Sequence, residues 1–380
     1  MRFSLLLAAW PALLVLAYPV QADSQADFDR CKFVGELSKA DEGIAACDRL
    51  INGSKMSAAE RAVALSSRCG WWWSKKDSDR ALADCNEAIR TDSGLAAAYL
   101  HRGNVYLNRS DSEHAFGDFN EALRLDPKNA WAFAERGSFY KNKGDLDRAL
   151  ADMNEAIRLD PNYALARFMR GDLYKNKGDI AQATADMNET VRLDPNYAPA
   201  YLLRARLFYR LGDNQAAIED FSKSVKLEAD DPTAYVGRGV AYYIVGGHMA
   251  DASADFKKAA ELNPADAYAA LWRDLAERSN NAPSHLELAA KHLDMTVWPA
   301  PLIRQFLGEL TAEQTFGAAF DIDPKTKTAQ TCEAYFYGGE WALLAKDKKE
   351  AQRLLRLAAD ECPPSFIEAT AAIAELISLK

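Results

Sequence analysis

Apolar side chains recur every three to four residues along most of this chain, and short polar turns separate these stretches. The segment 98–127, AYLHRGNVYLNRSDSEHAFGDFNEALRLDP, has two such stretches on either side of the polar turn NRSDSE. A period of three to four residues is that of an amphipathic helix with one buried face. The pattern therefore predicts an all-α protein that is built of helix–turn–helix units.

This helix–turn–helix pattern repeats with a period of 34 residues, and Pro127, Pro161 and Pro195 end successive units at that spacing. Three other kinds of residue recur at the same period, namely an arginine on the first helix, an aromatic residue near its end and an alanine on the second helix: Arg102, Arg136, Arg170, Tyr106, Tyr140, Tyr174, Ala115, Ala149 and Ala183. One hairpin cannot bury its apolar face alone, so neighbouring units are expected to stack into a continuous core.

The period and these residues resemble the tetratricopeptide repeat (TPR) family. The resemblance implies an all-α, right-handed superhelical solenoid whose concave groove is lined by the first helix of each unit. It also implies binding of a protein or peptide in that groove. We expect a signal peptide at 1–22, two divergent disulfide-stapled hairpins at 23–95, five regular units at 96–266, an irregular helical segment at 267–330, and a terminal hairpin with a capping helix at 331–380.

A narrower resemblance concerns the second half of the chain. The motifs YAALWRDLAER, WP…FLG and FYGG…AL follow the regular units in the order seen in periplasmic TPR lipoproteins of the NlpI type. That resemblance implies an adaptor for a periplasmic protease or for peptidoglycan hydrolases and synthases. Two departures matter: this chain has no lipid-anchoring cysteine at the expected cleavage point, and it has more repeats and more cysteines.

The first residues indicate export. Arg2 precedes an apolar run from Leu5 to Tyr18, and Val20-Gln21-Ala22 is a small-residue cleavage signature. This is the pattern of a secretory signal peptide, and it favours a periplasmic protein with no stable membrane span. The 55 acidic residues outnumber the 46 basic ones without any basic block, so nucleic acid is not an expected partner.

A charge pattern accompanies the repeat. An arginine on each first helix is followed, sixteen residues later, by an aspartate on the second helix: Arg68 and Asp84, Arg102 and Asp118, Arg136 and Asp152, Arg170 and Asp186, Arg204 and Asp220. Because the pattern recurs in every unit, it predicts structural hydrogen-bonded ion pairs across each hairpin and not an active site.

The predicted groove surface is the side of each first helix that lies two residues before, two after and five after the repeated arginine. Apolar residues predominate there and form a discontinuous track with the spacing that suits an extended or helical peptide. The candidate partner residues are Trp73, Leu100, Asn104, Leu107, Phe168, Leu202, Arg206, Tyr209, Val236, Val240 and Tyr243.

Other occupants of this groove stay open from the sequence. The protein's own C-terminal segment could fill part of it, or the same face could serve a homo-oligomer. The run Trp71–Trp73 also allows a minority hypothesis of stacking on sugars, as in a glycan-binding subunit of an envelope enzyme. In that run we expect Trp72 in the core and only Trp73 on the groove side.

No catalytic constellation is evident. The sequence lacks HExxH, GxSxG, P-loop and GxGxxG motifs, and no carboxylate stands out by an apolar setting. The pairs His101 with His114 and His285 with His292 lack a third ligand nearby, so no metal site and no cofactor are expected. The prediction is therefore a binding scaffold and not an enzyme.

The six cysteines form three pairs once the hairpins are known. Cys31 and Cys47 straddle one predicted turn, Cys69 and Cys85 straddle the next at the same separation, and Cys332 and Cys362 straddle a third. This is the one connectivity of the fifteen possible that keeps every bridge within one hairpin. In an exported protein these pairs are expected to be structural disulfides, although a redox-active pair stays open.

Overall fold

The structure is a computed structural model that describes residues 22–33, 37–53, 56–363 and 366–379. Over these ranges the protein is helical and contains no β-strand, and successive helices pack in pairs. The predicted all-α fold of helical hairpins is therefore confirmed. The predicted signal peptide lies outside the described residues except for Ala22, the first residue of helix α1. The chain divides into two compact units, Met1–Tyr197 and Ala198–Lys380.

The first unit contains ten α-helices among its described residues and one short 3-10 helix, Leu37–Lys39. Its first helices and second helices alternate along the chain from α3 onward. The bounds are α1 Ala22–Cys31, α2 Ala40–Asn52, α3 Ala58–Ser74, α4 Ser78–Thr91, α5 Ala96–Asn108, α6 Ser112–Leu125, α7 Ala130–Asn142, α8 Leu146–Leu159, α9 Ala164–Lys177 and α10 Ile180–Leu193.

An aspartate starts each regular second helix of this unit. The side chains of Asp77, Asp111, Asp145 and Asp179 accept a hydrogen bond from the backbone N–H three residues later. This capping satisfies a donor that the helix itself leaves unpaired, and the negative charge suits a helix N-terminus. The polar residue that ends each turn therefore also fixes where the second helix begins.

Close approach of the paired helices depends on glycine in the first helix. A Cβ atom added at Gly103 would lie 2.5 Å from Phe119, and one added at Gly171 would lie 2.4 Å from Met187. At Gly103 the added atom would collide with a rigid ring, so glycine lets Phe119 fit there, whereas at Gly171 the flexible end of Met187 would have to move.

All five predicted arginine–aspartate pairs are present. In the first unit each arginine donates through Nε and Nη2 to both carboxylate oxygens, at 2.7–2.9 Å. Its Nη1 also donates to a side chain of the preceding hairpin, for example from Arg136 to Asn120 at 3.0 Å and from Arg170 to Asn154 at 2.8 Å. Each guanidinium thus joins two neighbouring hairpins, a role that the sequence spacing alone did not reveal.

The second unit contains eleven helices among its described residues. They are α11 Ala198–Arg210, α12 Asn214–Leu227, α13 Pro232–Val245, α14 Met249–Leu262, α15 Ala267–Ser279, α16 Leu286–Ala290, α17 Ala300–Phe306, α18 Ala312–Ala318, α19 Pro324–Leu344, α20 Lys348–Glu361 and α21 Ile367–Ser378. Helix α19 begins at Pro324, seven residues before the predicted boundary at 331, because Asp323 caps it there.

The series of arginine–aspartate pairs, which we call the arginine ladder, is also present in the second unit, with one difference in spacing. Arg204 donates to Asp220 as predicted, at 2.6 and 2.8 Å. Arg238 donates to Asp255, seventeen residues later, at 2.7 Å through both Nε and Nη2. The extra residue in this turn, where Gly246 and Gly247 both have positive φ, shifts the spacing without breaking the pair.

All three predicted cysteine pairs lie at disulfide distance, and none of the six cysteines is free. The Cα–Cα distances are 4.7 Å for Cys31–Cys47, 5.5 Å for Cys69–Cys85 and 5.6 Å for Cys332–Cys362. Each bridge ties one helix to the next within a hairpin, as the turn positions predict. With loops of this size a disulfide stabilises its hairpin by about 3 kcal/mol in the chain-entropy description.

Candidate functional site

The predicted groove residues of the first unit differ in exposure. Trp73, Leu107 and Phe168 are half-buried, whereas Leu100 and Asn104 are fully buried. The expectation that Leu100 and Asn104 face an open groove is therefore not met. Both residues lie on α5, which packs directly against α3. Their side chains are therefore enclosed within the first unit.

The residue that covers this region is Phe33, which follows α1 and the disulfide at Cys31. Its ring lies 5.0 Å from Trp71, 5.2 Å from His101 and 6.1 Å from Trp73, between ring centroids. The indole of Trp71 also donates to the carbonyl of Cys31 at 2.8 Å. Trp73 therefore packs against the protein's own N-terminal segment, which makes this end of the face a core region.

His101 is buried in the same region. Its Nδ1 lies 2.8 Å from the carbonyl oxygen of Ser66, an arrangement that makes Nδ1 the protonated nitrogen. Burial lowers the pKa of this imidazole to about 4, so the ring is neutral at physiological pH. Among the described residues, no group of three or more His, Cys, Asp or Glu side chains could hold a metal ion.

The first-helix side of α7 and α9 is less covered. Ser138, Lys141, Phe168, Asp172 and Lys175 are all half-buried there. Both lysines pair with Asp172, Lys175 at 2.6 Å. Burial raises the pKa of Asp172, but the hydrogen bonds from the two lysines outweigh it and hold the pKa below its ordinary value. Two cations share one anion, so this surface, which we call the α7–α9 face, carries a net positive charge.

Phe168 gives the α7–α9 face its largest apolar side chain. Its ring packs edge-on against Tyr197 with 5.1 Å between centroids. The neighbouring Met169 receives a contact from the Ser138 hydroxyl at 3.8 Å, which places α7 and α9 side by side on this surface. An aromatic ring, a flexible thioether and a cationic pair thus lie within one small area.

Glu135 on α7 was not singled out from the sequence. The Trp131 indole donates to its carboxylate at 2.6 Å. Burial raises the pKa of Glu135 to about 7, and the indole hydrogen bond opposes this only in part. The expectation that no carboxylate has an apolar setting is therefore wrong. The pairing of Trp131 with Glu135 four residues later, on one helix face, is the signal that could have identified it.

The predicted groove residues of the second unit are mostly covered. Tyr209, Val240 and Tyr243 are buried, Leu202 and Val236 are half-buried, and Arg206 is exposed. The expectation of an open groove is therefore not met at Tyr209, Val240 and Tyr243.

The element that covers these residues is α21. The Tyr209 hydroxyl donates to the carbonyl of Ile367 at 3.4 Å, and α21 contacts both α13 and α19. Ala369, Ala371 and Ala372 of α21 belong to the same buried apolar cluster as Tyr209 and Tyr243. Of the occupants left open by the sequence, the protein's own C-terminal segment is the one that lies on this part of the face.

The contact between α19 and α21 contains four glutamates. They are Glu333 and Glu340 on α19, and Glu368 and Glu375 on α21; we call them the acidic seam. Burial, assisted by the neighbouring glutamates, raises the pKa of Glu340 to about 8 and that of Glu368 to about 7. Burial also raises the pKa of Glu333 and Glu375 above their ordinary values.

Hydrogen bonds to the acidic seam come from neutral groups. Tyr243 donates to Glu340 at 2.9 Å, and Tyr268 and the Trp298 indole donate to Glu333 at 2.8 and 2.6 Å.

No helix in the described part of the chain is long and apolar enough to cross a membrane.

Comparison with known proteins adds the family. Models described as "TPR repeat" match residues 137–178 and 205–246, and models described as "Tetratricopeptide repeat" match residues 96–129, 119–151 and 164–197. None of these is a catalytic family. Comparison with curated proteins gives no significant match, and the NlpI-type resemblance is not confirmed.

Several solved structures are similar to this chain. PilF of Pseudomonas aeruginosa is 18% identical, covers 55% of this chain and 96% of its own, and has a TM-score of 0.52. The APC/C hetero-tetramer Cut9–Hcn1 is 14% identical, covers 82% of this chain and 54% of its own, and has a TM-score of 0.53. YrrB, a TPR protein with an unusual peptide-binding site, is 26% identical over 46% of this chain and 89% of its own, with a TM-score of 0.37.

These structural similarities concern the fold. They agree with the stacked helical hairpins described above. Residues 96–197 and 205–246 of this chain match tetratricopeptide repeat models, and its described helices pack in the successive pairs of a TPR solenoid.

Proposed function

We propose that this protein is an exported TPR scaffold that binds a protein or peptide partner on the α7–α9 face and performs no bond chemistry. Repeat proteins of this kind present extended surfaces to partners, and TPR proteins generally bind proteins or peptides. The observation that carries the proposal is the half-buried Phe168 beside the cationic cluster of Lys141, Asp172 and Lys175. On this part of the first-helix surface these side chains remain partly exposed.

The chemistry of this face indicates the partner's character. Phe168 and Met169 offer an aromatic and a flexible apolar contact, which suits an apolar anchor residue of a peptide. The excess positive charge from Lys141 and Lys175 favours an acidic group next to that anchor and increases the rate of encounter. The groove residues proposed in the second unit would become available only when α21 leaves them.

The location and process belong to the same proposal. The sequence pattern of a signal peptide and three cysteine pairs at disulfide distance support an oxidising, exported location, which we take to be the periplasm. Envelope proteolysis, envelope assembly and peptidoglycan maintenance are the processes that the NlpI-type resemblance suggests. No lipid anchor is proposed.

A second candidate function is self-association as a structural envelope protein. The observation that favours it is the outer side of α21, where Ile373 is 49% exposed and Ile377 is 63% exposed. Two large apolar residues one turn apart on a surface suit contact with another copy of the chain. Light scattering on the purified protein distinguishes this function from the scaffold.

The scaffold proposal is tested by truncating Phe168. We expect Phe168→Ala to abolish the partners that cross-linking in cells and mass spectrometry recover with the unchanged protein. The matched control is Leu150→Ala on α8, which removes a half-buried apolar side chain from a second helix of the same unit. Thermal unfolding of both variants is measured alongside. Recovery of the same partners with Phe168→Ala, or their loss with Leu150→Ala at equal stability, would show the proposal to be wrong.

A further inference from the structure

The acidic seam has a regular geometry. Glu333 and Glu340 are seven residues apart on α19, and Glu368 and Glu375 are seven residues apart on α21. Seven residues are two helical turns, so each pair lies on one face of its helix. The electrostatic contacts join Glu333 to Glu368 and Glu340 to Glu375. The two helices therefore bring like charges together twice, at matching positions.

Among the residues that the structure describes, no cation pairs with these glutamates. The groups that face the acidic seam include Tyr243 on α13, Tyr268 on α15, the Trp298 indole before α17 and Tyr337 on α19. The Tyr209 hydroxyl on α11 lies near Glu368, and the Ser378 hydroxyl on α21 itself donates to Glu375 at 3.2 Å. None of them is basic. Within the described ranges, no lysine, arginine or histidine forms an ion pair with a seam glutamate. Like charges buried without a cation are costly, and one member of each pair must be protonated or screened.

The hydrogen bonds at the acidic seam also leave polar atoms unpaired. Tyr243 reaches both Glu340 and Glu375, but its hydroxyl has one hydrogen and cannot donate to two ionised carboxylates at once. The second oxygen of Glu340 is buried with no hydrogen-bond partner, and so is the hydroxyl of Tyr337. Buried polar atoms are normally paired. The contact of α21 with α19 thus leaves a glutamate oxygen and a tyrosine hydroxyl unpaired and, among the described residues, gives the four glutamates no cation.

The rest of this contact suits a helix well. Between its two glutamates α21 presents Ala369, Ala371 and Ala372, all of them buried, which lets its backbone approach the neighbouring helices closely. The shape thus fits a helix with small residues, whereas the charge of α21 does not fit. A helix of the same shape with two cations at the glutamate positions would pair with Glu333 and Glu340.

We propose that the surface beneath α21 is a second interaction site, which takes an amphipathic helix of a partner protein carrying Lys or Arg two turns apart. In the protein without that partner, α21 occupies the site in its place. When the basic helix binds, it displaces α21 and covers the groove residues of α11 and α13 in its place. This site lies in the second unit and is independent of the α7–α9 face.

The exchange is tested with two fluorescently labelled synthetic peptides of the α21 sequence Ile367–Ser378. One has the native sequence, and the other carries Glu368→Lys and Glu375→Lys. Fluorescence anisotropy with the full chain at pH 7.5 measures both affinities. We expect the lysine peptide to bind at least about tenfold more tightly. Its two lysines pair with Glu333 and Glu340, whereas the two glutamates of the native peptide are repelled by them. Equal affinities, or no binding of the lysine peptide, would overturn the proposal.

Variants of the chain separate specific pairing from general attraction to an acidic protein. We expect Glu333→Gln with Glu340→Gln to remove the advantage of the lysine peptide. The matched control, Asp360→Asn with Glu361→Gln, removes two charges from exposed residues at the end of α20 and should leave the advantage unchanged. If the control abolishes the advantage as well, the attraction is nonspecific and the site is refuted. Phe168→Ala should not alter this binding, which keeps the outcome separate from that of the scaffold test.

Discussion

Replacing Glu340 by glutamine should stabilise the second unit at neutral pH. Glu340→Gln keeps the shape of the side chain and an oxygen that can accept the hydrogen bond from Tyr243. It removes the ability to ionise and puts an amide NH2 at the position of the unpaired carboxylate oxygen, from which it can donate toward Glu375. In the unchanged protein that ability is a liability, because Glu340 is 3% exposed and lies near Glu375 without a cation.

The magnitude follows from the pKa of Glu340, which burial and then Glu375 raise from 4.5 to about 8. A raised carboxyl pKa contributes stability that is fully present below pH 4.5 and is lost as the pH rises through about 8. Above pH 4.5 this carboxyl group ionises in the unfolded chain but stays protonated in the folded one. The free energy of unfolding therefore falls by about 1.36 kcal/mol for each pH unit, which amounts to about 3 kcal/mol at pH 7. Glutamine has no such term, and the variant should be more stable by about that amount at pH 7 and by almost nothing at pH 4.

Hydrogen exchange with mass spectrometry measures the effect locally. A difference of about 3 kcal/mol corresponds to roughly 100-fold slower exchange of the protected amides in α19 at pH 7. Each variant is compared with the unchanged protein at the same pH, which removes the intrinsic pH dependence of exchange. The control is Glu361→Gln, at the exposed end of α20. Equal exchange of Glu340→Gln and the unchanged protein at pH 7, or an equal gain at pH 4, would refute this reasoning about the acidic seam.

Other predictions concern the scaffold itself. Asp152→Asn leaves the Arg136 guanidinium without its charged partner and should lower the free energy of unfolding in urea by about 2 kcal/mol. Asn120→Ala removes only the hydrogen bond to the preceding hairpin and should lower it by about 1 kcal/mol. Equal effects of the two variants would contradict the dominant role of the arginine–aspartate pair. Gly103→Ala places a Cβ atom 2.5 Å from Phe119 and should lower that free energy by about 1–3 kcal/mol, while Gly117→Ala, with nothing within 4 Å, should raise it by up to about 1 kcal/mol. Intact-mass analysis should find no free thiol, and reduction should destabilise the three bridged hairpins before the central repeats, as peptide-resolved exchange would show; uniform destabilisation would count against this.

Features that repeat within one hairpin could be predicted from the sequence. The Arg136–Asp152 pair and the Cys69–Cys85 bridge both join residues sixteen apart, and the turn between two helices fixes which positions meet. Recurrence of the spacing in several units made each prediction firm. The seventeen-residue spacing of Arg238 and Asp255 shows that an inserted turn residue changes the number and not the contact.

Features that depend on distant contacts could not be predicted. Helical periodicity places Tyr209 on a first-helix face, but it does not reveal that Ile367, 158 residues later, covers that face. Phe33 likewise makes Trp73 part of the core through a contact between segments far apart in sequence. The acidic seam follows from the packing of α21 on α19, and only burial there distinguishes Glu340 from the many exposed glutamates of the chain.

The most direct test of the scaffold is site-specific photo-cross-linking from the α7–α9 face. A benzoyl-phenylalanine at Phe168 keeps an aromatic side chain on that face, and one at the exposed Ala151 places the same reagent on the second helix α8. In cells that make this protein, we predict a discrete cross-linked protein adduct from position 168 and none from position 151. Adducts of equal yield from both positions, or none from position 168, would contradict the proposal that this face binds the partner.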